Sequence, residues 1–545
     1  MDQVDTSTVE IIRSSLVYAC EEMGIALRNS AYSPNIRERM DHSTAIFDSE
    51  GRLLAQAEHI PVHLGSLPLG LNNTIEYCHK HDVAIAPFSM IMVNNPYIAG
   101  THLNDVTVIR PVFNNYQLIA YTANKAHHSD VGGKVPGSIS IDAETLFEEG
   151  VVINPIHLVR KNRILNSSVK ILTGKSRTPV ERSGDLRAQT AANRIGERRI
   201  LELTKKHGVR TFRSACHESL NHTEILAQRR LTNIPNGDYT ALDHVEDPEG
   251  RNISLKVTLT LSHGNLLVDY TGTDRQVSSP LNAAYGVTLS GIYYVTRTLI
   301  GDDIPANDGT FKPITVKIPT GTILNPTFPH PVAGGNLETS QRNADLLYSA
   351  FSQAIPQLVP AQSGGSMNNV MMGGKWKNET WTFYETIGVG LGGKNWDDGI
   401  DGIQANMTNT MNTPIEEIER SYPLQVEQYE LRANSCGQGR NRGGTGIIRS
   451  YRILANDTTV TILADRFRNK PMGLLKGKPG APTEVAIIQK GEKRKILPVK
   501  CTIRLQRDDI VEIRTAGGGG YGNPQERSKA QLIKDFENGL VTRDA

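Results

Sequence analysis

Two short stretches of this chain carry residue types that could hold a metal ion. "GTHLNDVTVIRPVF" at 100–113 opens with His102 and Asp105, and "KAHHSDVGG" at 125–133 holds His127, His128 and Asp130. Neutral imidazole with carboxylate suits Zn²⁺, Mn²⁺ or Fe²⁺. Taken alone, His-x-x-Asp fits polar punctuation of a strand as well as it fits coordination. Between the two stretches, "VTVIRPVF", "NNYQ" and "LIAYTANKA" read as strand, turn and strand. With the turn centred at 114–116, Asp105 faces the region of Lys125, and His102 faces His127 and His128. Both polar motifs then share the open end of one hairpin, where cross-strand neighbours lie about 5 Å apart. Two histidines and one aspartate make three ligands. A fourth is available from "RERMDHS", with Asp41 and His42, or from "EHIPVH", with Glu58, His59 and His63. Eight of the fifteen histidines fall between His42 and His128, which marks this region as the one to examine for chemistry.

The elements that must position these residues follow from periodicity. A helix is expected over 6–30, capped by Thr6 or Ser7, with Val9, Ile12, Leu16, Ala19 and Met23 on one face. "STAIFDSEGRLLAQA" predicts a hairpin turning at Ser49–Gly51, and "SLPLGLNNTIEYCHKH" a helix. Pro111 cannot donate to a ladder, so the "VTVIRPVF" strand is not expected to be central throughout. Two charged amphipathic helices are expected over 179–207 and 209–231. Strands begin at 236, interrupted by helices at 281–300 and 339–356. The last 120 residues read as short strands closed by an amphipathic helix near 526–540. This pattern predicts a multi-domain α+β chain: mixed and antiparallel sheets, long amphipathic helices and a β-rich C-terminal half. The expected divisions are a metal-binding α+β domain over 1–175, a helical segment over 176–235, a central α+β domain over 236–420 and a glycine-rich β domain over 421–545.

At 545 residues the chain is too long for a single core. With 38% hydrophobic and 21% charged residues it has the composition of a soluble globular protein. A net charge of +2 gives no footprint for nucleic acid or for an anionic membrane. The amino-terminal stretch lacks the basic and apolar regions of a signal peptide, and no run is apolar enough to span a bilayer. Five scattered cysteines without a CxxC argue against a disulfide framework, so a reducing cytoplasm is the expected location. Nucleotide motifs fail. Gly174-Lys175-Ser176 resembles the end of a P-loop, but Val169 stands where its first glycine belongs. "GVGLGG" at 388–393 is followed by "KNWDDG", not by a helix. An ATP site, if one is used, is expected on another chain.

Glycine clusters in "SGGSMNNVMMGGKW", "GQGRNRGGTG" and "TAGGGGYG" read either as turns of a β domain or as backbone amides around an anion. "ILADRFRNKPMGLLKGKPG" would add Asp465, Arg466, Arg468 and Lys470 to such a lining. "NLETSQRNAD" places Asn336, Glu338 and Arg342 at a helix start, where Glu338 is either a first-turn acid or part of an anion site.

Taken in order, "RERMDHSTAIFDSEGRLLAQAEHIPVHLGSL", "NNPYIAGTHLNDVTVIRPVF", "HHSDVGG", "GDLRAQTAANRIGERR", "NLETSQRNAD", "LADRFRNKPMGLLKGKPG" and "RTAGGGGYGNP" resemble the B-type subunit of the hydantoinase/5-oxoprolinase family. That family also takes in caprolactamase and subunits of acetone and acetophenone carboxylases. The resemblance implies an A-type partner with an actin-like ATPase fold, which binds ATP and Mg²⁺ and phosphorylates the carbonyl oxygen of a small cyclic amide. The B-type chain then holds a divalent metal, Zn²⁺ or Mn²⁺, whose activated water attacks the phosphorylated lactam. The family's ligands fall on Asp41, His102, Asp105 and His127. His128 or Asp130 would take a proton or orient a ligand, Glu338 would join the catalytic set, and Arg466, Arg468 and Lys470 would hold the phosphate. A heterotetramer or larger complex is implied. The alternative is a subunit of an acetone- or acetophenone-type carboxylase. Asn104 and Ala516 stand where the family commonly has proline, and neither touches a ligand.

Overall fold

A seven-stranded antiparallel sheet carries the polar motifs. Its strands are β1 (His42–Asp48), β2 (Leu53–Ala57), β3 (Met90–Val93), β4 (Asp105–Asn114), β5 (Gln117–His127), β6 (Ile156–Arg160) and β7 (Arg163–Ile164), in the order β2-β1-β5-β4-β3-β6-β7. The computed structural model describes residues 4–57 and 59–542, so Glu58 lies outside the described residues. Alternate residues of a strand face opposite sides. Ile46, Val112, Ala120 and Ala126 therefore pack under helices Thr6–Ser30, Pro179–His207 and Val209–Leu231. Ala45, Phe47, Ile109, Tyr121 and Ala123 face Leu67 and Leu71 of helix His63–Lys80 on the other side.

The expected elements are present, with local corrections. The first helix is capped by Asp5, whose carboxylate accepts from Thr8 N at 3.0 Å; Thr6 and Ser7 lie inside its first turn. β4 runs between β5 and β3, and Pro111 falls just beyond Ile109, the last residue paired with β3. The β4–β5 register differs from the expected one by two residues, because the turn sits at Asn115–Tyr116 and a bulge separates Val112 from Phe113. Asp105 consequently pairs with His127, not with Lys125. A shift of two keeps every side chain on its face, so the two polar motifs still converge.

β8 (Gly237–Glu246), β9 (Asn252–Ser262), β10 (Asn265–Asp269) and β11 (Ile314–Lys317) form a second sheet, with β10 and β11 parallel. It shares a core with helices Tyr285–Ile300 and Ser340–Phe351. Strands Asn369–Trp376 and Glu379–Thr386 share a third sheet with Thr458–Leu463 and Lys500–Leu505, so the expected division at 420/421 runs through one sheet. A fourth, five-stranded sheet completes the α+β architecture. Among the described residues no helix is long and apolar enough to cross a membrane.

The glycines of "TAGGGGYG" pack against neighbouring backbone. Successive amides of Gly517–Gly520 donate to Ala481 O, Gly444 O, Gln362 O and Lys478 O at 2.8–3.2 Å, so their N–H groups are consumed by neighbouring backbone. The segments pack so closely that a Cβ on Gly517, Gly518 or Gly443 would sit 1.9–2.0 Å from a backbone oxygen. Side-chain rearrangement cannot relieve a clash with backbone. Gly518→Ala is therefore expected to cost at least about 2 kcal/mol of folding stability, measured by chemical denaturation.

Candidate metal centre

Three adjacent strands place the site. β5 lies between β1 and β4, and its last residue, His127, pairs with Asp105 of β4. On its other side His127 N donates to Asp41 O at 3.0 Å, where the chain enters β1. Asp41, His127 and Asp105 thus form a row across the sheet. His102 joins it from the turn before β4, where Asp105 N donates to His102 O. Asn104 fixes that turn against the second motif: its Nδ2 donates to His128 O at 2.9 Å and to Gly137 O at 3.2 Å.

The three central side chains are buried and mutually close. His102 Nε2 lies 3.0 Å from Asp105 Oδ1 and 3.1 Å from His127 Nδ1, and His127 Nδ1 lies 3.2 Å from Asp105 Oδ1. Two atoms bound to one ion at about 2.1 Å would be about 3.0 Å apart at right angles and about 3.4 Å apart in a tetrahedron, so these separations are near those of a shared divalent cation. Among the described residues this is the group of His, Cys, Asp and Glu side chains arranged to hold one. Asp41 Oδ2 stands 4.0 Å from His127 Nδ1. Beside the cluster is a cavity of about 20 Å³ lined by Asp41, His63, Asp105, His127, Asn336 and Tyr384. That is room for one ion- or water-sized occupant.

Burial pushes the Asp105 carboxyl up, but the His102 charge and hydrogen bonds from His102, His127 and His63 outweigh it and hold the group well below the usual carboxylate range. The ionised carboxylate is the form that binds a cation.

His63 is the residue whose place spacing did not fix. It begins helix His63–Lys80, which covers this face of the sheet, and its Nε2 reaches 3.5 Å from Asp105 Oδ2 while Nδ1 meets Ser43 Oγ at 2.9 Å. "EHIPVH" offers it as one of several candidates, but only the packing of the helix on the sheet selects it. Tyr384 stacks on His127 with ring centroids 4.8 Å apart, and Arg39 lies over Tyr384 at 4.7 Å. No pattern in the sequence points to either.

The remaining expected residues lie elsewhere. His128 follows the strand's alternation to the opposite face, where its Nε2 meets Gln189 Oε1 at 3.0 Å. Burial, reinforced by Arg182, pushes it down to about 4. Asp130 is fully engaged: it accepts from Gly132 N, Gly137 N, Arg177 N and Arg177 Nη1 at 2.9–3.1 Å. It clamps a loop and makes no contact with the cluster. Glu338 is a first-turn acid, as one reading of the sequence expects, but it makes no capping hydrogen bond. It lies buried in a wide turn, Gly335–Thr339, and Oε1 accepts from Asn369 Nδ2 at 3.0 Å. Tyr384 OH donates to Asn369 Oδ1 at 3.0 Å, so Glu338 reaches His127 only through two intervening side chains. Burial, then the nearby Asp465, pushes Glu338 up to about 8. Arg466 is buried and paired with Asp345 at 2.5 Å. Arg468 and Lys470 are exposed, and Arg468 Nη1 donates to Gly250 O.

Comparison with known proteins gives the class to which this fold belongs. The family model for hydantoinase B/oxoprolinase matches residues 5–524, and the chain belongs to that family. A protein of Methanocaldococcus jannaschii is 46% identical over 99% of this chain and 94% of its own length. A Pseudomonas protein named for the B component of a D-/L-hydantoinase is 32% identical over 100% of this chain and 94% of that protein. The 5-oxoprolinase 1 of Arabidopsis thaliana is 34% identical over 95% of this chain, which spans only 42% of the plant protein. Among solved structures, the ATP-dependent caprolactamase of Pseudomonas jessenii superposes with a TM-score of 0.93 at 26% identity, covering 100% of this chain and 95% of that one. A nucleotide-free acetone carboxylase shares the fold, with a TM-score of 0.92 at 19% identity over 99% and 78% of the two chains.

Replacing Asp105 removes the acceptor that both His102 and His127 face. Asp105→Ala is expected to lower the divalent metal retained on purification by more than about tenfold. His128→Asn should leave it unchanged, because His128 faces the other side of the sheet. Elemental analysis of the two proteins, with circular dichroism to confirm folding, checks both.

Proposed function

We propose that this chain is the B-type subunit of an ATP-dependent hydrolase of cyclic amides, of the 5-oxoprolinase or hydantoinase kind. The observation that carries this reading is the buried row of Asp41, His127 and Asp105, closed by His102 beside a small cavity, in a chain of this family. Amide carbon is a poor electrophile, and phosphorylation of the lactam oxygen makes it a better one. That step belongs to an A-type partner with an actin-like ATPase fold, which binds ATP and Mg²⁺. Two facts support a partner: this chain has no P-loop or dinucleotide motif, and the plant 5-oxoprolinase holds more than half its length outside the matched region.

In this reading Asp41, His102, Asp105 and His127 hold a Zn²⁺ or Mn²⁺ ion. When bound, such an ion supplies a Lewis acid and lowers the pKa of a water molecule. His63 orients Asp105 through Oδ2, as second carboxylate contacts commonly do for ligands. Tyr384 holds the His127 ring in plane and keeps water off its outer face. Burial raises Glu338 to about 8, and its Oε2 has no hydrogen-bond partner among the described residues. Its link through Asn369 and Tyr384 makes it a positioning group for the ring stack. Asp130 fixes the loop that follows His127, and the proton-taking role is assigned to neither His128 nor Asp130. Arg466 is committed to Asp345, which leaves the exposed Arg468 and Lys470 to meet a phosphate carried by the partner.

The fold shared with acetone carboxylase makes a carboxylase subunit the second reading. Co-expression with an A-type partner and assay of ATP hydrolysis against a lactam panel separates the two. The isolated chain is expected to show no turnover, and the complex is expected to hydrolyse ATP at least about tenfold faster with its lactam present. A requirement for bicarbonate would overturn the hydrolase reading. Full turnover by an Asp105→Ala complex would reduce the metal to a scaffold.

A further inference from the structure

A second site lies at the far end of the same hairpin. β4 runs from Asp105 to Asn114, so at about 3.3 Å per residue the β4–β5 turn is about 30 Å from the metal centre. Beside that turn is a cleft of about 620 Å³, lined in part by Phe88, Arg110, Tyr116, Asn162, Arg194 and Glu197. Its volume is in the range of small-molecule sites.

Three observations converge on this cleft. The first is Arg110. It is 2% exposed, and Nη2 is paired with Glu197 at 2.6 Å, but Nε and Nη1 have no acceptor among the described residues. Buried guanidinium N–H groups without acceptors are costly and rare. The second is backbone conformation. Tyr116 and Phe88 both have φ of +61°, in the left-handed region, where a bulky side chain is strained and glycine is at ease. Tyr116 occupies a two-residue hairpin turn where glycine would be the unstrained choice. Both rings are exposed, Tyr116 by 89% and Phe88 by 53%, so burial does not explain them. The third is construction. Asn162 joins three walls of the cleft: its N donates to Phe88 O at 2.9 Å, its O accepts from Arg194 Nη2 at 2.9 Å, and its Oδ1 accepts from Arg110 Nη2 at 3.3 Å. Strain retained in side chains that a fixed framework presents to solvent marks a functional surface.

We propose that this cleft binds a small monoanionic carboxylate carrying a flat apolar group. Two guanidinium groups against one carboxylate leave a single net positive charge, which selects a monoanion. Arg110, at the buried wall, and the exposed Arg194 both line the cleft, and guanidinium N–H groups are the donors carboxylates favour. The rings of Phe88 and Tyr116 give the apolar body a planar surface. The site is separate from the reaction proposed above and stands or falls independently of it.

Phenylacetate is a suitable probe, with benzylamine as the same ring of opposite charge and acetate as the carboxylate without a ring. Calorimetric titration of the full chain is expected to show saturable phenylacetate binding below about 1 mM, with benzylamine and acetate each at least about tenfold weaker. Tyr116→Gly removes one ring and relieves the turn. It should weaken phenylacetate at least about tenfold while the thermal midpoint stays the same or rises. Arg194→Ala, at an exposed position, should weaken it similarly without loss of stability. Absence of saturable binding up to about 10 mM overturns the proposal. So does equal binding of benzylamine, unchanged affinity in Tyr116→Gly, or a lowered midpoint in that variant.

Discussion

The register of three antiparallel strands is the constraint on which this site depends. Pairing of β1, β5 and β4 sets Asp41, His127 and Asp105 side by side on one face of the sheet. A slip of one residue between β4 and β5 would turn Asp105 or His127 to the other face. The turn at Asn115–Tyr116 and the bulge at Val112/Phe113 fix that register from the distant end of the hairpin. The position and facing direction of these three side chains thus follow from main-chain hydrogen bonds, before any side-chain contact is considered.

A buried carboxylate among imidazoles is costly unless its neighbours are arranged around it. Here the surrounding groups come from widely separated parts of the chain. His63 arrives on a helix over the sheet, and Tyr384 and Asn336 arrive from the central region, which shares a sheet with the C-terminal one. Those regions are held by their own buried charges. Arg342 pairs with Asp465 at 2.6 Å, Lys500 with Asp465 at 2.9 Å, and Arg466 with Asp345 at 2.5 Å, all nearly inaccessible. Breaking one such pair would leave an uncompensated charge in the interior, so the pairs fix the geometry even where they add little net stability. The backbone-on-backbone packing of Gly517–Gly520 serves the same end by joining four chain segments without side chains between them. The centre is therefore a property of the whole chain and not of its N-terminal sheet alone.

Much of the architecture is legible in the sequence because it rests on local periodicity. Helices Pro179–His207 and Val209–Leu231 match their expected spans, and the hairpin that joins the two polar motifs shows in alternating residues and a polar turn. The glycine stretches are ambiguous for a physical reason. A glycine that admits a ligand and a glycine that admits another backbone look the same in sequence, and only the acceptors of Gly517–Gly520 show which is present. Arg466 misleads for a similar reason: its charge is visible in sequence, but Asp345, which neutralises it, lies 121 residues away.

The sequence by itself determined the candidate residue types, their convergence at one hairpin end and, through an ordered set of motifs, the family. Those features depend on neighbours within a few residues or on strand alternation. Tertiary structure alone decided that Asp105 faces His127, that His63 and Tyr384 join the centre, and that His128 turns away to Gln189. It also decided that Glu338 stands behind Asn369 and Tyr384 and not beside the cluster. Each of these is set by which strand neighbours which and by the side of the sheet a helix covers, and long-range packing fixes both.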